Sequence, residues 1–133
     1  MVIDTSAVLA LLLNESEADA IEIAIDEDPV RLMSVASALE AAIVVEARLG
    51  AAGGREFDLL LHKAAIELVP VTLEQLETAR HAWRSFGRGR HEAGLNYGDC
   101  FAYALAAMSG EPLLFKGADF ARTDVAHVRL GTE

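Results

Sequence analysis

Four acids, Asp4, Glu40, Asp99 and Asp119, have the type and placement to do chemistry together. Carboxylate oxygens are the ligands that Mg²⁺ and Mn²⁺ prefer. A divalent ion held by such a group can activate water and offset charge on a phosphate, which is the chemistry of phosphodiester hydrolysis. Each acid also has an ordinary structural role open to it. Asp4 ends the β-branched pair Val2-Ile3, so it either projects from the carboxyl edge of a sheet or caps the next helix. Glu40 heads the helical stripe Glu40, Ile43, Val44 and Ala47, where a carboxylate among apolar groups is costly unless a cation or donors compensate it. It could equally be a boundary residue whose head reaches water. Asp99 opens the uncharged run Cys100 to Met108, where a first-turn acid complements the helix dipole. Asp119 follows a strand and a glycine, and alone reads as a turn residue. The conjunction carries the metal chemistry; no single member does.

Other chemistries fit less well. Gly87-Arg88-Gly89 lacks the third glycine of a dinucleotide loop, and no Gly-Lys-Ser/Thr closes a phosphate loop. Ser6 has no Gly-x-Ser-x-Gly elbow around it. His62, His81, His91 and His127 show no paired ligand spacing. Cys100, the lone cysteine, lies in the apolar run and reads as core. A phosphoacceptor receiver domain would want an aspartate after the third strand, where this chain has Pro70-Val71-Thr72.

The elements that must position these acids follow from the hydrophobic pattern. Short strands are expected at Met1 to Asp4, Arg31 to Ser34, Leu68 to Val71 and Pro112 to Phe115, with a fifth at His127 to Leu130. Pro70 puts the third strand at an edge or at its end. Helices are expected at Thr5 to Leu13, Glu15 to Glu27, Ser37 to Leu49, Arg55 to Ile66, Leu73 to Phe86 and Tyr97 to Met108. Gly50 and the Gly53-Gly54 pair stop the third helix, and Thr72 caps the fifth. Strands alternating with helices predict one α/β domain over residues 1–133, three layers deep, with a parallel sheet. In such sheets the site lies beyond the carboxyl ends of the strands.

Composition bounds what remains. At 133 residues, 53% apolar but only 6% aromatic, the core must be built from Ala, Leu, Ile and Val. One cysteine excludes an intramolecular disulfide, and no run approaches the roughly 20 apolar residues of a membrane span. A soluble, cytoplasmic protein is the expectation. The net charge of −10 opposes nonspecific nucleic-acid binding by the whole surface. Against that background Arg80, His81, Arg84, Arg88, Arg90 and His91 form one basic concentration. Arg84, Arg88 and Arg90 are candidate phosphate contacts, as are Lys116 and Arg122 beside Asp119. The alternative is a solvated surface.

Three segments carry a resemblance. Met1-Val2-Ile3-Asp4-Thr5-Ser6-Ala7 is similar to the opening of VapC-type PIN-domain toxins, and Ser37-Ala38-Leu39-Glu40-Ala41-Ala42 to their second acidic motif. The stretch from Gly94 through Asn96-Tyr97-Gly98-Asp99-Cys100-Phe101-Ala102-Tyr103-Ala104 to Leu114-Phe115-Lys116-Gly117-Ala118-Asp119-Phe120 closely resembles one subgroup of them. The resemblance spans essentially the whole chain. It implies a PIN fold with a five-stranded parallel sheet flanked by helices. The implied activity is endoribonucleolytic, with Mg²⁺ or Mn²⁺ as cofactor and transfer or ribosomal RNA as frequent substrates. It further implies a VapB-type antitoxin whose carboxyl-terminal segment covers the site, and a toxin homodimer. The family's acids carry over onto Asp4, Glu40, Asp99 and Asp119. Asp4 and Asp99 become the direct metal ligands, while Glu40 and Asp119 orient water or hold a second ion. Relatives often have an acid where this chain has Ala118, so Asp124 is an alternative to Asp119, and one metal or two remains open.

Overall fold

A computed structural model describes residues 1–131. Its elements in chain order are β1 (Val2–Ile3), α1 (Thr5–Leu12), α2 (Ala18–Glu27), β2 (Leu32–Ser34), α3 (Val35–Lys63), β3 (Glu67–Val69), α4 (Leu73–Phe86), α5 (Tyr97–Ser109) and β4 (Leu113–Leu114). A 3₁₀ turn, Phe120–Arg122, follows. All strand pairings are parallel, in the order β3-β2-β1-β4.

Alternation along the short strands divides the interior into two layers. Ile3, Met33 and Leu114 face a core shared with Ala7, Ile21, Ala41, Val45 and Phe57 of α1, α2 and α3. Val2, Leu32 and Leu113 face the opposite way, onto Ala79, Ala82, Ala102, Tyr103 and Leu105 of α4 and α5. A period-2 strand buried on both faces requires apolar residues at every position, which explains why these strands read as continuous apolar runs. The α/β/α architecture expected from the pattern is the one observed.

The order of the sheet decides where a site can form. The chain runs outward from β1 through β2 to β3, then crosses back to add β4 on the other side of β1. The connections therefore diverge between β1 and β4, leaving a crevice beyond their carboxyl ends. The Asp4 amide extends the pairing by donating to the Leu114 carbonyl at 2.9 Å. Asp4 thus stands at the mouth of that crevice.

One expectation needs correction, and another holds with a shifted boundary. Among the described residues the sheet has four strands, not five: His127 makes one isolated bridge to Leu113, and the Val128 amide donates to the Leu113 carbonyl at 2.9 Å. Val128 and Leu130 spend their apolar surface packing on the α1–α3 core instead of extending a ladder. The helix expected at Ser37 to Leu49 does end at Gly50 (φ 67°, ψ −158°), where the backbone leaves helical geometry; the next helix begins at once instead of at Arg55, so α3 is two helical halves joined across a kink. Gly53 does not stop the helix. It permits the two halves to close, because a Cβ there would sit 2.7 Å from the Val45 carbonyl oxygen. The edge position expected for the Pro70 strand is observed in β3.

Candidate active site

Asp4 caps α1 and faces the crevice at once. Its Oδ2 accepts from the Ser6 amide at 3.0 Å and the Ser6 hydroxyl at 2.7 Å. Burial strips water from the carboxyl and raises its pKa; the Ser6 donors pull the other way, and the Glu40 charge raises it further. The Ser6 hydroxyl also accepts from the Lys116 amide at 2.9 Å, so one side chain ties the end of β1 to the loop after β4.

Asp99 likewise has both roles. Asn96 and Asp99 form a capping box on α5: the Asp99 amide donates to Asn96 Oδ1 at 2.9 Å, and the Asn96 amide donates to Asp99 Oδ2 at 3.0 Å. Its carboxyl is pushed up to about 7. Burial is the largest cause, opposed by the Asn96 amide, and the charges of Asp4, Asp119 and Glu40 add to it. That electrostatic signature draws all four predicted acids into one neighbourhood.

Glu40 joins by a different route from the one its spacing suggested. The buried face of α3 is Ser37, Ala38, Ala41 and Val45, whereas Ile43 is 59% exposed and Glu40 itself is exposed. Glu40 therefore lies on the flank of α3, toward α1 and α5. The Thr5 hydroxyl lies 2.9 Å from both Glu40 Oε1 and the Ser37 carbonyl, and its proton is shared between them. Asp119 is exposed on the loop before the 3₁₀ turn. Asp124 is diverted: its Oδ1 accepts from the Tyr103 hydroxyl at 2.5 Å, and it is not among the charges named above as shifting Asp4 or Asp99.

The donor set suits a hard cation. One oxygen each of Asp4, Asp99 and Glu40 is anchored by the chain; Asp4 Oδ1, Asp99 Oδ1 and Glu40 Oε2 accept no comparable bond among the described residues. No three His, Cys, Asp or Glu side chains among the described residues gather tightly enough to cage an ion unaided. Mg²⁺ fits that looseness, since it usually keeps several waters and takes only one or two carboxylates.

The PIN domain profile matches residues 1–126. Ribonuclease VapC30 of Mycobacterium tuberculosis is 59% identical over 130 residues, covering 98% of this chain and 99% of that protein. Ribonuclease VapC of Mycolicibacterium smegmatis is 60% identical over 128 residues, 96% of this chain and 99% of that protein. The chain belongs to the VapC family of PIN-domain ribonucleases. Among solved structures, Mycobacterium tuberculosis VapC20, a sarcin–ricin loop cleaving toxin, superposes with a TM-score of 0.78 at 18% identity, over 96% of this chain and 98% of that one. A toxin–antitoxin complex from Klebsiella pneumoniae superposes with a TM-score of 0.71 at 14% identity, over 96% of this chain and 95% of that one.

The PIN scaffold treats the basic candidates unevenly. Arg84 and Arg88 are exposed and in no ion pair among the described residues. Arg90 lies over the Trp83 ring, 4.1 Å from its centroid. Lys116 is committed elsewhere, its Nζ 2.9 Å from Glu15 and 3.6 Å from Glu17. Arg122 pairs with Glu92 at 2.7 Å, but both side chains are more than half exposed, and such a pair exchanges at little cost. Sequence reasoning missed Thr5, Ser6 and Asn96, which hold the carboxylates in place. Asn96 was detectable, because Asn followed three residues later by Asp is a cap pattern. Thr5 had no such signal, since its partners Ser37 and Glu40 are distant in sequence; Ser6 lies only two residues from Asp4, beside an acid already read as a possible cap.

Proposed function

We propose that this chain is the toxin of a type II toxin–antitoxin pair, a cytoplasmic endoribonuclease that hydrolyses RNA with Mg²⁺ or Mn²⁺ held at Asp4 and Asp99. The observation that carries it is the shared electrostatics of the crevice. Asp99 is held near 7 by burial and by three other acids, with no basic side chain paired to any of the four among the described residues. When bound, the ion would activate water and balance charge on the phosphate. The chain's own residues do the positioning. Ser6 and Asn96 each fix one oxygen of a ligand carboxylate, leaving the other to face the crevice. Thr5 orients Glu40, and Glu40 and Asp119 direct the attacking water or receive its proton.

The relatives' names support RNA as substrate, and the Klebsiella pneumoniae complex supports an antitoxin partner of the VapB type. Arg84, Arg88 and Arg90 supply the phosphate contacts, with Arg122 recruited once its pair with Glu92 opens. An apolar groove of about 570 Å³ between α4 and α5, lined by none of the four acids, is rimmed by Arg80, Arg84 and Arg90. It suits an antitoxin segment carrying apolar and acidic residues. Leu39, Ile43 and Tyr97 form an exposed apolar face on α3 and α5 that suits a second copy of the chain.

The test is cleavage of total RNA by the purified protein with Mn²⁺, with Mg²⁺ and with EDTA, followed by mapping of the cut ends. Discrete cleavage should require the ion and vanish in Asp99→Asn. Equal cleavage with EDTA, or by Asp99→Asn purified identically, would overturn the proposal.

A further inference from the structure

Gly98 is the second residue of α5, and its backbone does not need a glycine. It is absent from the positive-φ glycines, which are Gly50, Gly89, Gly94, Gly110 and Gly117. In ordinary helical backbone alanine is preferred, since glycine loses more conformational freedom on folding. Something else must exclude a side chain here. A Cβ built on Gly98 would lie 2.6 Å from Glu40 Oε1, 2.7 Å from Oε2 and 2.9 Å from Cδ. All three of its nearest neighbours belong to one carboxylate, and Gly98 directly precedes Asp99 in the chain.

We propose that Gly98 is a positioning residue for Glu40: its missing side chain is the space in which the Glu40 carboxylate sits against the first turn of α5. This rests on the reading that Glu40 belongs to the active site. Glu40 is gripped from two sides, by the Thr5 hydroxyl of α1 at 2.9 Å and by the bare Gly98 backbone of α5. The three atoms nearest a methyl group at position 98 all belong to the end of a flexible, exposed side chain. Glu40 would swing outward and release Thr5, while helix and core stay as they are. The cost of the substitution therefore falls on the site and not on the fold.

The experiment is a double-mutant cycle of Gly98→Ala and Glu40→Ala in the full-length chain, read by RNA cleavage, by the Mn²⁺ concentration for half-maximal cleavage, and by Tm. Gly98→Ala should melt at or above the wild-type temperature. Its cleavage should fall about 10- to 100-fold, the range expected when a group that orients ligands is removed. Half-maximal cleavage should also need more Mn²⁺, a change that general loosening of the fold would not bring at an undiminished Tm. In the Glu40→Ala background, Gly98→Ala should cost nothing further, because no carboxylate remains to displace. Wild-type cleavage by Gly98→Ala beside an impaired Glu40→Ala overturns the role of Gly98 alone, as does a full additional loss in the double variant. Wild-type cleavage by Glu40→Ala overturns the active-site reading on which the role rests.

Discussion

Two groups of acids meet the loop that follows β4, and the protein treats them in opposite ways. Glu15 and Glu17, at the turn between α1 and α2, close on Lys116 at 2.9 and 3.6 Å. The pairing holds the Lys116 ammonium above its usual pKa, chiefly through the bond to Glu15. Three residues further on, Asp119 joins Asp4, Glu40 and Asp99, where no basic side chain arrives among the described residues and Asp99 is pushed up to about 7. The first group is neutralised by the chain and staples the loop in place. The second has no internal cation among the described residues, and in the function proposed above it takes one from outside. Acid count alone does not distinguish them; the presence of an internal cation does.

The largest test of that contrast exchanges one acid from each group. Asp4→Asn should lower RNA cleavage by at least about 100-fold, since it removes a charged ligand at nearly constant volume. Glu15→Gln should stay within about twofold of wild type, given the small worth of a partly exposed pair away from the acid cluster. The exposed Glu46, on the same helix as Glu40, provides a further control: Glu46→Gln should cleave normally. Equal losses in Asp4→Asn and Glu15→Gln would erase the distinction.

Stability should separate the groups next. A raised carboxyl pKa stabilises the fold only while the group is protonated. Asp99 therefore withdraws stability as pH climbs from the ordinary carboxylate range through about 7. Metal-free protein should lose Tm across that window, and Asp99→Asn should flatten the loss. Mn²⁺ at a hundredfold excess over its dissociation constant should restore about 2.7 kcal/mol at neutral pH. The gain should shrink in acid, where protons displace the ion, and Asp99→Asn should recover less. A wild-type melting curve unmoved by Mn²⁺ at pH 7 would contradict a shared cation site.

The basic residues give smaller effects. Replacing Arg84, Arg88 and Arg90 by Ala should weaken RNA binding and reduce the salt slope by up to about 2 to 3, near one for each phosphate no longer neutralised. Metal-dependent Tm shifts should be untouched. An unchanged slope would make the segment a solvated surface. Lys116→Met should leave the slope alone and lower Tm only slightly. A reduced slope would show that Lys116 leaves its glutamates to meet phosphate.

How far the residues could be read in advance varied with the distance over which they act. α4, bounded by Leu73 and Phe86 with Thr72 as its cap, follows from local periodicity and one hydroxyl, and both are observed. The extra strand at His127 failed because strand pairing depends on a partner edge that local composition does not describe. Glu40 was chosen for a stripe that turned out to be solvent-facing; it reaches Asp4 and Asp99 instead through Thr5 and the gap at Gly98. The identities and chain positions of the four acids, the α/β alternation and the family resemblance were all present in the sequence, because side-chain chemistry and short-range periodicity are local properties. Which face of α3 is buried, that Asp124 is taken by Tyr103, and that Lys116 is spent on Glu15 were decided only by tertiary structure. Those outcomes depend on which groups far apart in the chain are brought within a few ångströms, and on which charges burial then leaves without a partner.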